Sequence, residues 1–206
     1  MATENTRPIV ISGPSGVGKG TLIDMLLASH PDRFTKTISH TTRPPRPGET
    51  DGNQYFFISE AEFASLVSQD AFLEHTLYSG HHYGTSSATV TDQQAKRRVV
   101  ILEIDMDGAR QVRDRGAVDA RFVFVRPPSL EALEARLRGR GSESEGSLRR
   151  RLESAQREMA QLDSSHGLYD KVIVSDDLNK AYKELEQFVL GTATVAERAQ
   201  AQPAGE

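Results

Sequence analysis

A doubly wound parallel α/β sheet is the fold class predicted for this chain, and three observations predict it. Short β-branched runs recur without polar alternation: "PIVIS" from Pro8, "VVILEID" over residues 99–105, "RFVFV" over 121–125 and "KVIV" over 171–174. Strands covered by helices on both faces read this way. Most of these runs give way to apolar residues at helical spacing, and strand–helix alternation is the mark of parallel crossovers. Finally, 206 residues with 37% apolar and 26% charged side chains suit one ordinary domain with a sizeable core.

The elements follow in order. "PIVIS" runs into "GPSGVGKGT", after which Leu22, Ile23 and Leu26 recur at helical spacing and predict a helix from about Lys19 to just before Pro31. Residues 39–90 break the rhythm. They open with "SHTTRPPRPGETDGNQYFF", rich in Pro, Gly and turn formers, then offer a short strand, a helix and "EHTLYSGHHYG", which predicts an inserted small lobe. The strand at 99–105 leads to a helix over 107–115. The strand at 121–125 is stopped by Pro127 and Pro128 and leads to a helix over 130–137. "RGRGSESEGSLRRR", residues 138–151, is polar and arginine-rich and is expected to be irregular. The strand at 171–174 precedes a helix over 178–189, and "GTATVAERAQAQPAGE" from Gly191 has no apolar period, so a disordered tail is expected. The prediction is one domain over 1–190, its core formed by about 7–38 and 98–190.

Composition narrows the function. A net charge of −4 argues against a general nucleic-acid surface, so local basic clusters must be read as sites. The absence of Cys excludes a disulfide framework, a thiol nucleophile and thiolate metal ligands. The N-terminus lacks a charged-then-apolar leader pattern, and there is no apolar run of roughly 18 residues, so a cytoplasmic protein without membrane association is expected. His40, His75, His81 and His82 match no usual metal spacing and are read as scaffolding or solvent-facing groups.

The chemistry starts at Gly13. The pattern G-x-x-x-x-G-K, from Gly13 through Ser15, Gly16 and Val17 to Gly18 and Lys19, sits between a strand and a helix. Backbone N–H groups of such a loop converge on phosphate oxygens, the helix N-terminus faces the same anion, and the Lys adds a positive charge. Ser or Thr usually follows that Lys as a magnesium ligand; here Gly20 does, and Thr21 comes one place later. Adenylate kinases resemble this Gly-Lys-Gly-Thr run, so the loop is read as altered but working.

Arg43 and Arg46, held apart by Pro44-Pro45 with Tyr55 nearby, suit a second phosphate, although arginines solvated in a turn fit the spacing equally. Glu103 and Asp105 share one face at the carboxyl end of a strand, where ligands bind in doubly wound sheets; the competing reading is helix N-cap acids.

Together these segments resemble the guanylate kinase family. "SHTTRPPRPGETDG..Y" is similar to its GMP-phosphate segment, "FLEHTLYSGHHYGT" to its guanine-binding stretch, "ILEIDMDGA" to its acidic strand end and "RLRGRGSESEGSLRRRL" to its lid, covering about residues 8–189. The resemblance implies a phosphate-loop kinase core with an inserted GMP-binding lobe and an arginine-bearing lid. It implies transfer of phosphate from ATP to GMP, with dGMP as a second acceptor. Arg43, Arg46, Tyr55 and Tyr83 would hold the GMP phosphate, and Ser39 and Thr85 the base, beside a tight turn at Gly84. Read alone, Glu74 is a surface carboxylate before it is a base reader; the resemblance reverses that order, because its oxygens can accept from guanine N1–H and the 2-amino group. Arg140, Arg151 and Arg136 would be lid cations, with Arg46 also close to the transfer. Arg149 and Arg150 are read as solvated. Ser175 and Asp176 would lie beside the adenine. Magnesium would arrive with ATP, with Glu103 or Asp105 reaching it through water, and Glu103 and Asp105 also face the acceptor. A monomer with ATP and GMP as partners is expected. An adenylate-type kinase, suggested by Gly20, is disfavoured by Glu74 and the Arg43–Arg46 segment. A non-catalytic guanylate-kinase-like interaction module is disfavoured by the intact loop.

Overall fold

The computed structural model describes residues 5–78, 80–139, 144–164 and 167–191. The chain enters through β1 (Ile9–Ser12), passes a glycine loop into α1 (Lys19–Ser29) and returns in β2 (Phe34–Lys36). It then builds a small lobe from β3 (His40–Thr41), β4 (Phe56–Phe57), α2 (Glu60–Ser68), β5 (Phe72–Tyr78) and β6 (His81–Ser86). The core resumes with α3 (Ser87–Ala95), β7 (Val99–Glu103), α4 (Met106–Arg115), β8 (Arg121–Arg126), α5 (Leu130–Gly139) and α6 (Glu145–Ser164), and closes with β9 (Lys171–Val174) and α7 (Leu178–Leu190).

The core sheet has the order β2-β7-β1-β8-β9, parallel throughout. Its continuous apolar runs have a direct cause. On β1, Ile9 and Ile11 pack with Leu22 and Leu26 of α1 and Leu185 of α7, while Val10 points the other way, into a cluster with Ala109 and Val112 of α4. β7 divides identically, Val99 and Ile101 against Val100 and Leu102. Successive side chains alternate faces, and with helices on both faces each one is apolar. The expected doubly wound parallel sheet is therefore present.

The lobe is a separate four-stranded sheet of order β4-β3-β6-β5. Its core is aromatic: Phe63 of α2 stacks on Phe72 at 4.7 Å between centroids and on His82 at 5.1 Å, and His40 lies 4.9 Å from Phe56. His40 and His82 thus act as packing rings, and burial pushes His40 below the ordinary histidine range. Among the described residues no cluster of His, Asp or Glu could hold a metal ion.

Several elements depart from the expectation, including β3, β5 and β6 of the lobe, where one short strand was expected. The supposedly irregular stretch 138–151 is helical up to Gly139 and again from Glu145, where the 20-residue α6 begins. β2 and α3 are present where no element was expected; the first is three residues long, and the second has Val90 as its buried residue. Arg140 and nearly all of the expected tail lie outside the described residues. No described helix is long and apolar enough to cross a membrane.

Candidate active site

The chain leaves β1 for β2 and β7 on one side and later for β8 and β9 on the other, so the order reverses at β1. Adjacent loops diverge at such a point and open a crevice beyond the carboxyl ends of the strands. A cleft of about 550 Å³ occupies that position. Its wall joins the glycine loop, the lobe, the end of β7 and one face of α6.

On the core side, Gly13 is at φ 140°, and a Cβ there would lie 2.0 Å from the Val125 carbonyl oxygen, so this close crossing requires glycine. Gly18, at φ 108°, is the N-cap of α1 and supplies no side-chain acceptor, which leaves the first N–H groups of the helix to an external anion. Lys19 Nζ donates to the carbonyls of Gly13 and Pro14, the latter at 3.1 Å, and so folds over the loop. Burial lowers its pKa, opposed by the carboxylates of Glu103, Glu158 and Asp105. Ser15 Oγ accepts from Arg151 Nη1 at 2.7 Å, which brings the α6 cation to the loop. Gly16 and Thr21 also line the cleft. At Gly20 a Cβ would meet only Glu103 Oε1, at 4.0 Å, so the position has room for a hydroxyl.

Arg136 is used differently from expectation. It donates to the carbonyls of Val17, Ser175 and Asp176 and to Ser175 Oγ, tying the loop to the segment after β9 instead of facing the cleft. Val17 is fully buried beneath the loop. Arg149 pairs with Glu153 at 3.0 Å on the outer face of α6, as a solvated charge would.

On the lobe side, Arg43 makes a two-pronged contact with Glu49, at 2.9 and 3.0 Å, and lies over the Tyr55 and Phe57 rings. Glu49 also accepts from the Arg46 backbone N–H at 2.7 Å. One carboxylate therefore fixes both arginine positions. Tyr55 and Tyr83 meet edge to face at 5.8 Å. Deeper in, Ser39 Oγ and Thr85 Oγ1 are 3.1 Å apart, and Gly84 leaves only 3.0 Å between a hypothetical Cβ and the Phe72 ring. Glu74, 3% exposed, is pushed up to about 7 by burial, against hydrogen bonds from Thr85.

Asp105 caps α4, accepting from Gly108 N at 2.7 Å, and also lines the cleft, so the N-cap reading describes only part of its setting. Glu103 is bridged by Lys36 Nζ at 2.6 Å. Lys36, Glu49 and Glu158 were not foreseen. Glu158 faces the cleft from α6, on the same helical face as Arg151, and its Oε2 is buried without a partner.

A family model for guanylate kinase matches residues 5–191. The chain belongs to the guanylate kinase family. The guanylate kinase of Schizosaccharomyces pombe is 45% identical over 190 residues, covering 92% of this chain and 93% of the relative. That of Homo sapiens is 44% identical, covering 88% and 91% respectively. A crystal structure of guanylate kinase from Anaplasma phagocytophilum superposes with a TM-score of 0.71 at 27% identity, over 99% of this chain and 90% of that one.

Within this guanylate kinase fold the Glu49–Arg43 contact gives a first prediction. Glu49→Gln halves the charge-assisted pairing that orients the guanidinium, and the expected result is a rise of about tenfold in KM for GMP with kcat nearly kept. Steady-state kinetics at fixed saturating ATP would check it; an unchanged KM would mean Arg43 needs no such support.

Proposed function

We infer that this chain transfers the γ-phosphoryl group of ATP to the phosphate of GMP, giving ADP and GDP, with dGMP as a second acceptor. The observation that carries the reading is a single cleft walled on one side by the glycine loop with Lys19 and on the other by Arg43, Arg46 and the buried Glu74. Two phosphate-binding walls facing one space suit direct in-line transfer between two bound nucleotides, a reaction that depends on positioning and positive charge more than on covalent help.

In this reading the loop N–H groups and Lys19 hold the β- and γ-phosphates of ATP. Arg43, Arg46, Tyr55 and Tyr83 hold the GMP phosphate at attacking distance. Arg151, beside Ser15, neutralises charge that builds on the transferring oxygens. Ser39, Glu74 and Thr85 read guanine. Adenine offers no matching donor pair and would leave Glu74 desolvated and unpaired. Ser175 and Asp176, turned toward Arg136, border the donor base. Magnesium arrives as part of the ATP substrate and draws negative charge from its phosphates; Thr21, Glu103 and Asp105 are hard oxygen donors suited to its water shell. We place the protein in the cytoplasm as a monomer with ATP and GMP as its partners.

The test is ADP release with magnesium and ATP over GMP, dGMP, AMP, UMP and CMP, repeated with Gly20→Ser. GMP and dGMP should be the efficient acceptors. The variant should reach half-maximal rate at a magnesium concentration about two- to fivefold lower, since a hydroxyl is restored in a space that accepts it. Faster turnover of AMP would overturn the acceptor assignment. No turnover of any acceptor by a protein that still binds GMP would leave only a binding module.

A further inference from the structure

We propose that Gln111 is a positioning residue for guanine recognition, holding the backbone of β5 beside Glu74; this rests on the acceptor reading above. β5 is an edge strand of the lobe sheet, so one side of it has no strand partner. Such an edge presents a row of N–H and C=O groups that something must satisfy if the strand is to stay in place. At His75, the residue next to Glu74, the Gln111 side chain does this from α4. Its Oε1 accepts from His75 N at 3.1 Å, and its Nε2 donates to His75 O at 2.9 Å. A carboxamide has the donor and acceptor arrangement of a peptide group, so a single side chain stands in for a neighbouring strand at one position.

The rest of the same helix face supports the arrangement. Asp105, Gly108, Gln111 and Arg115 recur at spacings of three and four and form one stripe. Gly108 lies so close that a Cβ there would be 2.8 Å from Glu74 Oε2. Arg115 donates to the Phe72 carbonyl at 3.2 Å and to Asp70 at 2.6 Å. α4 thus acts as a template along β5, and Gln111 is the contact that fixes the peptide next to the base-reading carboxylate. With the clamp gone, the His75 peptide loses its hold on α4, and Glu74 loses its fixed distance from guanine while the ATP side is untouched.

The test uses Gln111→Met, which keeps the length of the side chain and removes both polar atoms, and Gln111→Glu. For Gln111→Met the expected result is a rise of about tenfold in KM for GMP, a reduced preference for GMP over AMP, and a KM for ATP within about twofold of the parent. In Gln111→Glu a protonated carboxyl repeats the donor and acceptor of the amide, whereas a carboxylate opposes the His75 carbonyl. At about pH 8, where an ordinary glutamate is ionised, its KM for GMP should therefore be raised about tenfold over the parent. The parent at the same pH is the reference. Equal rises in the KM values for GMP and ATP, or no rise in the KM for GMP in either variant, would each overturn the proposal. A parent protein that does not prefer GMP would instead remove the acceptor reading beneath it.

Discussion

Lys19→Ala is expected to lower kcat by about three orders of magnitude or more, while GMP binding measured by calorimetry stays within about twofold. The side chain folds over the loop through the Gly13 and Pro14 carbonyls, close to where the transferring phosphate would lie. Its charge is needed most when negative charge spreads over the equatorial oxygens, so its loss acts on the transition state more than on binding of either ground state. In the proposed reading the acceptor phosphate is held instead by Arg43 and Arg46, in the lobe loop between β3 and β4. Loss of GMP affinity in step with turnover would mean that the two walls of the cleft are not independent.

Glu74→Gln is expected to move function and stability in opposite directions. In the proposed reading the carboxylate accepts two donors from guanine, and the amide would accept from only one of them while turning its own N–H toward the other. A fall of about two to three orders of magnitude in kcat/KM for GMP should follow, with little change in KM for ATP. Stability goes the other way. Burial holds the Glu74 pKa at about 7 against an ordinary value of 4.5, so the folded protein retains a proton there that the unfolded chain has released. The contribution of this group to stability is full below pH 4.5 and is lost as pH rises through about 7. Above that pH the free protein bears the cost of an ionised buried carboxyl, about 3 kcal/mol, which the amide avoids. At about pH 8 the variant should therefore melt roughly 5–10 °C higher than the parent, with the gap closing on acidification. The same titration makes the parent's kcat/KM for GMP decline below about pH 7. Thermal scans and initial rates across pH would check both, and equal melting temperatures at alkaline pH would show that Glu74 is not ionised at a cost.

Much of this was legible in the sequence, for reasons that differ by element. β1, β7 and β8 announce themselves because a parallel strand with helices on both faces leaves a continuous apolar run; β9, at the sheet edge, shows the same β-branched run although Val172 and Val174 are exposed. The glycine loop is legible because the close crossing at Gly13 and the left-handed turn at Gly18 admit little else. α6 hides because a helix resting on the edge of the core needs few apolar residues. Leu148 and Ala155 are buried and the rest of "EGSLRRRLESAQREMAQLDS" is mostly polar, so it reads as a loop. That concealment also hid Glu158, which reaches the cleft only because α6 continues two turns past Arg151. Glu49 and Lys36 were missed for another reason. A charge that serves by pairing with another side chain carries no spacing of its own; Lys36 meets Glu103 across 67 positions of chain. Glu49 left one faint signal, an acid three residues after Arg46 in a stiff proline turn. Arg136 shows the converse, a cation in a lid-like stretch whose partners turn out to be backbone carbonyls.

The central place of β1 also constrains how the molecule comes into being. Ile9 sits opposite Ile101 on one side and Arg121 on the other, so both of its neighbours lie roughly ninety or more residues downstream. β2 waits for the same β7. The lobe hairpin, by contrast, closes between Phe72 and Ser86 within its own segment. During synthesis the lobe hairpin can therefore close while the phosphate loop still hangs from an unpaired strand, and a nascent chain released before residue 99 has neither the partner strands of β1 nor the α4 template of β5.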